Sequence, residues 1–592
     1  MLPSLADIPL LRDVAPAALE AAELEATWFS LPAGWPLFRQ GEQADCLYFV
    51  LSGSLAAFRT GPHEEQALMG HIRPGEPVGE MSLIAREAHT GSVFAMRDSE
   101  IVRLSRAGFE ALMHADPTLM ERIARLMLQR VREPQRMRPR SEPKVYALIG
   151  ASPTIDLRLR ARTLQTALSR LGKTAAIVGE ESQGMESVWF DALEHDHDAV
   201  LLISPIADTN WFRQCVRQAD RIWVLARADA RPSTPLLPED DPSPARRFRL
   251  VDVVLLHHGM ERKAASTEEW RSACDAARLL HWRGLDDSDA ARLARMIAGR
   301  SIGLVLSGGG ARAYAHLGVV RALREAGVPF DVAGGTSMGA LVAACVAMGW
   351  DDDEIEVRIR KAFVESNPLG DYVLPVVALV RGKRVEDRLE EHFGEALIED
   401  LRIPFFAVST NLASGNVKVH RSGLLRRALR ATISLPGILP PVVDGDNGLL
   451  VDGAVLKNFP VDVLKEIHRG QIIGVDVAQR QGINPEDFKQ PPGFFGWIAA
   501  HGLQAPPPIA SLLMRAATIM VDPWEGRSGA DLLVAPDMPD VDLRDWKKFD
   551  EAVVAGYEAC VAALKRQPDF LNPAPPPIHA LASSPAYLET AD

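Results

Sequence analysis

Residues 301 to 350, SIGLVLSGGGARAYAHLGVVRALREAGVPFDVAGGTSMGALVAACVAMGW, run twice from a short apolar segment through glycines into an apolar helical pattern. Ile302 to Leu306 has the length of a buried strand, Gly308, Gly309 and Gly310 break it, and Leu317 to Ala326 takes up helical spacing. Ala333 to Met338 repeats the plan more tightly. Gly335-Thr336-Ser337-Met338-Gly339 matches G-x-S-x-G, in which the serine sits on a sharp strand-to-helix turn and the flanking glycines make room for crowded backbone. The stretch therefore predicts a βαβα unit with Ser337 as nucleophile.

The pentapeptide alone is a weak signal in a chain with 44 glycines. Its context strengthens it. A strand precedes it, and an Ala-rich helix from Ala340 to Met348 follows, whose N-terminal dipole favours a developing serine alkoxide. Gly308, Gly309 and Gly310 offer backbone N–H groups, unobstructed by side chains, to the oxyanion of a tetrahedral intermediate, and Arg312 stands ready to reinforce that anion site. The competing reading is a phosphate-binding turn of a nucleotide fold. It is disfavoured because the spacing is not G-x-G-x-x-G and no Walker lysine follows.

A serine needs a base. Leu449 to Val451 reads as a short strand, and Asp452-Gly453 turns directly after it, which sets a carboxylate at a strand end; the alternative is a plain Asp-Gly turn. SGGGAR, GTSMG and DGA, in that order, resemble the patatin-like phospholipases, serine hydrolases with a Ser-Asp dyad and no catalytic histidine. The resemblance implies Ser337 as nucleophile, Asp452 as base, and the amides of Gly308 to Gly310 with Arg312 as oxyanion hole. Ser434-Leu435-Pro436 with Pro440-Pro441, Asn458 and Pro460 after Asp452, and Pro404 to Leu412 are similar to the bacterial branch of the neuropathy target esterase group. Ala313 departs from the glycine usual after that arginine; its methyl narrows the loop without removing an N–H. A Ser, Asp, His triad would need His468, His501 or His579. His468 lies on a polar helix pattern and reads as a solvated surface residue, His501 sits beside breakers and His579 lies in a Pro-rich tail, so the dyad is preferred.

The 592 residues suffice for three or four domains, and the net charge of −13 argues against a nucleic-acid partner. Five scattered cysteines, none in C-x-x-C, indicate neither a disulfide framework nor a metal site. MLPSLADIPLLRD lacks a basic n-region and a long apolar core, so a signal peptide is not expected, and no stretch reads as apolar for long enough to span a membrane. The expected location is cytoplasmic, with the inner face of the membrane as a peripheral site.

The expected fold is multidomain α/β. Residues 1 to 135 read as a β jelly roll with helices, including one helix from Ser105 to Arg130. PLFRQGEQAD, CLYFVLSGSLAAF and PVGEMSLI resemble the cyclic nucleotide-binding domain, where a Gly-Glu pair holds the ribose and a following arginine pairs with the cyclic phosphate. Gly79 and Glu80 match the pair, whereas His89 stands in the arginine position and lacks a bidentate fork. The expectation is a degenerate domain, non-binding or with an altered ligand, kept for regulatory contact or for assembly into a homo-oligomer.

Residues 136 to 300, after a Pro-rich charged linker, alternate strand-length apolar runs with helical segments, and FRQCVRQADRIWVLA resembles the Rossmann-like linker domain of neuropathy target esterase relatives. Gly172-Lys173-Thr174 is not a P-loop, since it follows a helix and precedes a strand; Gly172 reads as a helix C-cap. The patatin-like α/β hydrolase domain, with a mainly parallel sheet, is placed at 301 to 490. Within it Tyr372 to Val380 is apolar enough to face lipid or to enter the core, with core as the default. A helical extension is placed at 491 to 569 and a disordered tail at 570 to 592. Phe494, Phe495 and Trp497, with the apolar pattern to Val521, suit an acyl-chain lid or membrane anchor as well as a core or dimer helix.

These readings converge on a cofactor-free serine esterase that releases fatty acid from phospholipid or lysophospholipid through an acyl-enzyme. A cyclic-nucleotide sensor, an inactive scaffold and a lipid acyltransferase stay open as alternatives.

Overall fold

The computed structural model describes the chain outside residues 1–3, 61–65, 73, 133–143, 233–250, 258–266, 285–286, 367, 375, 446–447, 469, 479–525, 542–544 and 571–592. The linker, His501, His579, the 491–521 stretch and the Pro-rich tail lie outside the described residues. The chain forms two compact units, meeting in sequence near residue 299.

The first unit begins with an antiparallel jelly roll built on two long strands, Cys46–Thr60 and Ser92–Ser105, paired with several shifts of register. The helical run after it is two helices, Arg106–Ala115 and Thr118–Arg132, not one. Pro117 explains the break: it disfavours helical backbone at Asp116, which is extended (φ −134°, ψ 92°) and accepts the Thr118 N–H at 3.0 Å to start the second helix.

Six strands from Val145–Gly150 to Arg278–Arg283 follow in a second sheet. The pairs linking its first five strands are parallel. Counted along the chain, their spatial order is 2-3-1-4-5-6, so the two strands on one flank are exchanged relative to the Rossmann order 3-2-1-4-5-6. Gly172 has φ +70° and closes the Leu157–Arg170 helix, its N–H bonding Ser169 and that of Lys173 bonding Leu168. The helix that follows the first strand is capped by its own Asp156, which accepts the Leu159 N–H at 2.9 Å, so a carboxylate stands where a phosphate-binding turn would present a lysine.

The second unit holds the serine. Its sheet runs Val442–Asp444, Gly448–Asp452, Phe405–Asn411, Val332–Thr336, Ile302–Leu306, Gln471–Val475 and Leu532–Val534, with Asn416–His420 paired to Phe405–Asn411. The central pairs are parallel and the Asp452 flank is antiparallel. Alternation along the strands divides the core: Leu304, Leu306, Ala333 and Ala407 enter one face, and Val305, Val332, Phe406 and Val408 the other. The strand Leu532–Val534 shows that the sheet continues past residue 490.

The Phe549–Arg566 helix packs on Ala315–Glu325, the helix leaving the triple-glycine turn. The contact is backbone to backbone. A Cβ on Gly318 would run into the Val553 carbonyl, and one on Gly556 into that of Ala315. Tyr314 rests on Phe549 with ring centroids 4.7 Å apart. The Gly556→Ala variant is expected to lose about 1–3 kcal/mol through overpacking, read as a lowered melting temperature with lowered esterase activity, because the strained helix carries the glycine turn.

Candidate active site

Ser337 ends the strand Val332–Thr336 and caps the helix Met338–Met348. Its backbone (φ 55°, ψ −130°) is one of only three non-glycine residues at positive φ among the described residues. Such a conformation costs on the order of 1–3 kcal/mol and persists only where the surroundings hold it. Those surroundings are specific. The Ser337 N–H donates to Thr432 Oγ1 at 2.9 Å, and the Thr432 hydroxyl donates in turn to the Val408 carbonyl. Gly335 and Gly339 bring the turn against the first strand so closely that a Cβ on either would meet the Leu306 carbonyl. The turn points the serine hydroxyl at a carboxylate: Ser337 Oγ donates to Asp452 Oδ2 at 2.7 Å.

Asp452 arrives by way of strand register. Thr336 lies opposite Val408 and Ser409 opposite Asp452, so a single intervening strand separates nucleophile and carboxylate. Asp452 is fully buried; its N–H donates to the Ser434 carbonyl and its Oδ1 accepts the Ala454 N–H, each at 2.9 Å. Burial pushes its pKa up to about 7, against the downward pull of the Ala454 and Ser337 hydrogen bonds. A carboxyl group titrating there is suited to take a proton from a hydroxyl and return it.

Gly308, the first of the three glycines, lies against Ser337 Cβ. The Gly308 N–H, however, donates to the Asn458 carbonyl at 3.3 Å, while Asn458 Nδ2 donates to the Gly308 carbonyl at 3.2 Å. This reciprocal pair commits the first amide of the run and leaves those of Gly309 and Gly310, the latter at φ +55°. Arg312 also makes a contact that its motif does not announce. It is buried, and its Nε donates to the Val541 carbonyl at 2.7 Å, tying the glycine turn to the C-terminal segment. Ala313 is buried without exposure in the main core, so its methyl is accommodated.

His468 is buried, not solvated: it lies close to Gly303, and its Nε2 is 3.3 Å from the Gln471 carbonyl. The helix pattern misled because the helix ends at Ile467 and His468 follows in extended backbone (φ −115°, ψ 135°), its ring against the strand Ile302–Leu306. Among the described residues no histidine bonds Asp452. His316, on the helix beside the glycine turn, holds the Ser307 carbonyl at 2.9 Å and is kept neutral by burial, which lowers its pKa to about 4. Thr432 is the functional residue that the sequence motifs did not single out; a threonine closing an otherwise amphipathic helix carries no distinguishing spacing.

In the jelly roll, Gly79 (φ +84°) opens the short helix Glu80–Ala85 and Glu80 is buried. His89 comes against them, with Cε1 in van der Waals range of a Cβ on Gly79, and stacks on Phe38 with centroids 3.6 Å apart at 9°. Burial lowers its pKa against the pull of Glu42 and Asp45, which favours the neutral ring. Among the described residues no three His, Cys, Asp or Glu side chains gather as a metal site.

Comparison with known proteins agrees with this layout. The patatin-like phospholipase family matches residues 304–465, the cyclic nucleotide-binding domain residues 28–116, and the neuropathy target esterase family P-loop like domain residues 145–275. An uncharacterised NTE family protein of Mycobacterium tuberculosis is 32% identical over 594 residues, covering 96% of this chain and 97% of that protein. Patatin-like phospholipase domain-containing protein 6 of Homo sapiens is 27% identical over 603 residues, covering 91% of this chain and 41% of that protein. Protein 7 of the same series from Rattus norvegicus is 28% identical over 517 residues, covering 76% and 38%. The chain belongs to the NTE family, and its patatin-like domain makes it a lipid ester hydrolase.

Proposed function

We propose that the chain hydrolyses fatty acyl esters of lysophospholipids or phospholipids by a Ser337-Asp452 dyad. The observation that carries this reading is the 2.7 Å bond from a serine on a strained turn to a fully buried carboxylate. Ser337 Oγ attacks the acyl carbon as its proton passes to Asp452. The oxyanion forms beside the Gly309 and Gly310 amides and the N-terminus of the Met338–Met348 helix, whose first N–H groups lack intrahelical partners. Collapse breaks the ester C–O bond, and Asp452 returns the proton to the departing alkoxide. Water then repeats the sequence on the acyl-enzyme and frees the fatty acid. A single carboxylate suffices because an alkoxide needs less protonic assistance than an amide nitrogen. The patatin-like names of its relatives support the lipid class of substrate. Membrane contact, cytoplasmic location and self-association belong to the same proposal; among the described residues no helix is long and apolar enough to cross a membrane.

Fatty acid release from lysophosphatidylcholine and from diacyl phosphatidylcholine tests the reading. Ser337→Ala and Asp452→Ala are expected to lose at least about a thousandfold in kcat/KM, since each removes a partner of one unit; full activity in either would refute the dyad. Transfer of the acyl group to an added alcohol in preference to water would reassign the enzyme as an acyltransferase.

The pH profile follows from Asp452. With a pKa of about 7 the base is ionised above neutrality, so kcat/KM is expected to fall about a hundredfold between pH 8 and pH 5. Stability has the opposite sign. The folded pKa lies above the unfolded value of 3.8, so this group stabilises the fold most below pH 4 and loses that contribution as pH rises through 7. Asp452→Asn is therefore expected to be inactive yet to melt higher than wild type at pH 8, with the advantage vanishing near pH 4 by calorimetry.

For the jelly roll, cyclic AMP or cyclic GMP at millimolar concentration is expected to leave the melting temperature unchanged, because His89 supplies no cation. A shift of several degrees would restore the sensor reading.

A further inference from the structure

Tyr372 to Val380, for which core is the default expectation and lipid the alternative, forms a hairpin-like finger in its described residues, Pro375 lying outside them. Tyr372 and Val380 pair as an antiparallel bridge, the Val373 N–H bonds Leu379, and the Arg381 N–H bonds Asp371. The base is apolar and packed, with Ala378 and Val380 buried. The tip is apolar and bare: Leu374 is 85% exposed, Val376 93% and Val377 67%. Three large aliphatic side chains standing in water at the end of one projection are costly to keep there, and each one withdrawn into an apolar medium raises partitioning roughly tenfold.

The finger's base is joined to the active-site wall. The Leu379 N–H donates to the Gly437 carbonyl at 2.9 Å and that of Val380 to Ile438 at 3.1 Å. Gly437 lies three residues from Ser434, whose carbonyl holds the Asp452 N–H, so Gly437 is within about 10 Å of that anchor and the base one hydrogen bond beyond it. At the foot of the finger, Arg381, Lys383 and Arg384 are exposed among carboxylates, Lys383 pairing with Asp387 at 2.8 Å. A bare aliphatic tip on a packed base with charged groups at its foot is the pattern of an element that enters the headgroup boundary of a bilayer. A second protein is a poorer occupant, since three side chains fall well short of the roughly 800 Å² per partner of a stable interface.

We propose that the Tyr372–Val380 finger is a lipid-surface anchor that seats the Ser337 site on the membrane holding its substrate. The inference rests on the lipid-esterase reading for its purpose but not for its test. The tip is tested with the full chain and vesicles of phosphatidylcholine containing about one-fifth phosphatidylglycerol, by flotation and by hydrolysis of the vesicle lipid, beside hydrolysis of a soluble short-chain ester. The triple variant L374S/V376S/V377S is expected to lose at least tenfold in vesicle partitioning and in vesicle-lipid hydrolysis, with soluble-ester turnover and melting temperature unchanged. Partitioning within twofold of wild type would overturn the anchor. A dimeric wild type made monomeric by the triple variant, with vesicle partitioning equal, would also overturn it and assign the tip to a second copy. A chain that floats through its tip but cleaves no ester would leave the anchor standing and sink the esterase reading. As an independent readout, Val376→Cys carrying an environment-sensitive nitrobenzoxadiazole label is expected to brighten several-fold with a blue shift on vesicles; unchanged emission would contradict insertion.

Discussion

The hydrogen bond between Ser337 and Asp452 joins two groups that would each be unfavourable alone. The serine occupies backbone space that a side chain rarely adopts, and the carboxylate is buried where its charged form is poorly solvated. Much of the second unit serves to hold them at 2.7 Å. Thr432 fixes the serine amide, Ser434 the aspartate amide and Ala454 the second carboxylate oxygen. Gly335, Gly339 and Gly453 allow the backbones to approach so closely that a methyl group at any of them would collide with a carbonyl. The strain is thus maintained by neighbours with no chemistry of their own.

The same logic extends outward from the glycine turn. Gly308 is locked by Asn458, His316 holds Ser307, and Arg312 reaches the Val541 carbonyl. The C-terminal helix then grips the Ala315–Glu325 helix through the Gly318 and Gly556 contacts. A segment late in the chain therefore sets the rigidity of a turn more than 200 residues earlier. In the first unit the jelly roll meets the parallel-sheet domain through Arg97, which donates to Glu194 at 2.6 and 3.0 Å and lies 3.8 Å from Asp220. A buried arginine with carboxylate partners makes that junction costly to break, because losing one member strands the charge of another.

Most of the site was legible because its chemistry is local in sequence. The G-x-S-x-G turn, the triple glycine and the Asp-Gly turn are short patterns whose backbone needs are met by the residues themselves. What resisted was the non-local part. Which glycine amide is committed depends on Asn458, 150 residues away, and the direction of the Arg312 side chain depends on a segment past residue 540. The strand order of the middle domain is equally non-local, since periodicity reports that strands alternate with helices but not which strands are neighbours. The Tyr372–Val380 run stayed open between core and lipid for a different reason: composition marks a segment as apolar, and only its attachment at Gly437 and Ile438 decides that its tip faces outward while Ala378 and Val380 are buried.

The most direct measurement is peptide mapping by mass spectrometry after reaction with a fluorophosphonate, performed on wild type and on Asp452→Asn. The dyad account requires one covalent adduct, on Ser337, forming at a rate that drops sharply when Asp452 can no longer accept the proton. An adduct on another serine, or equal labelling of Ser337 in both proteins, would contradict it.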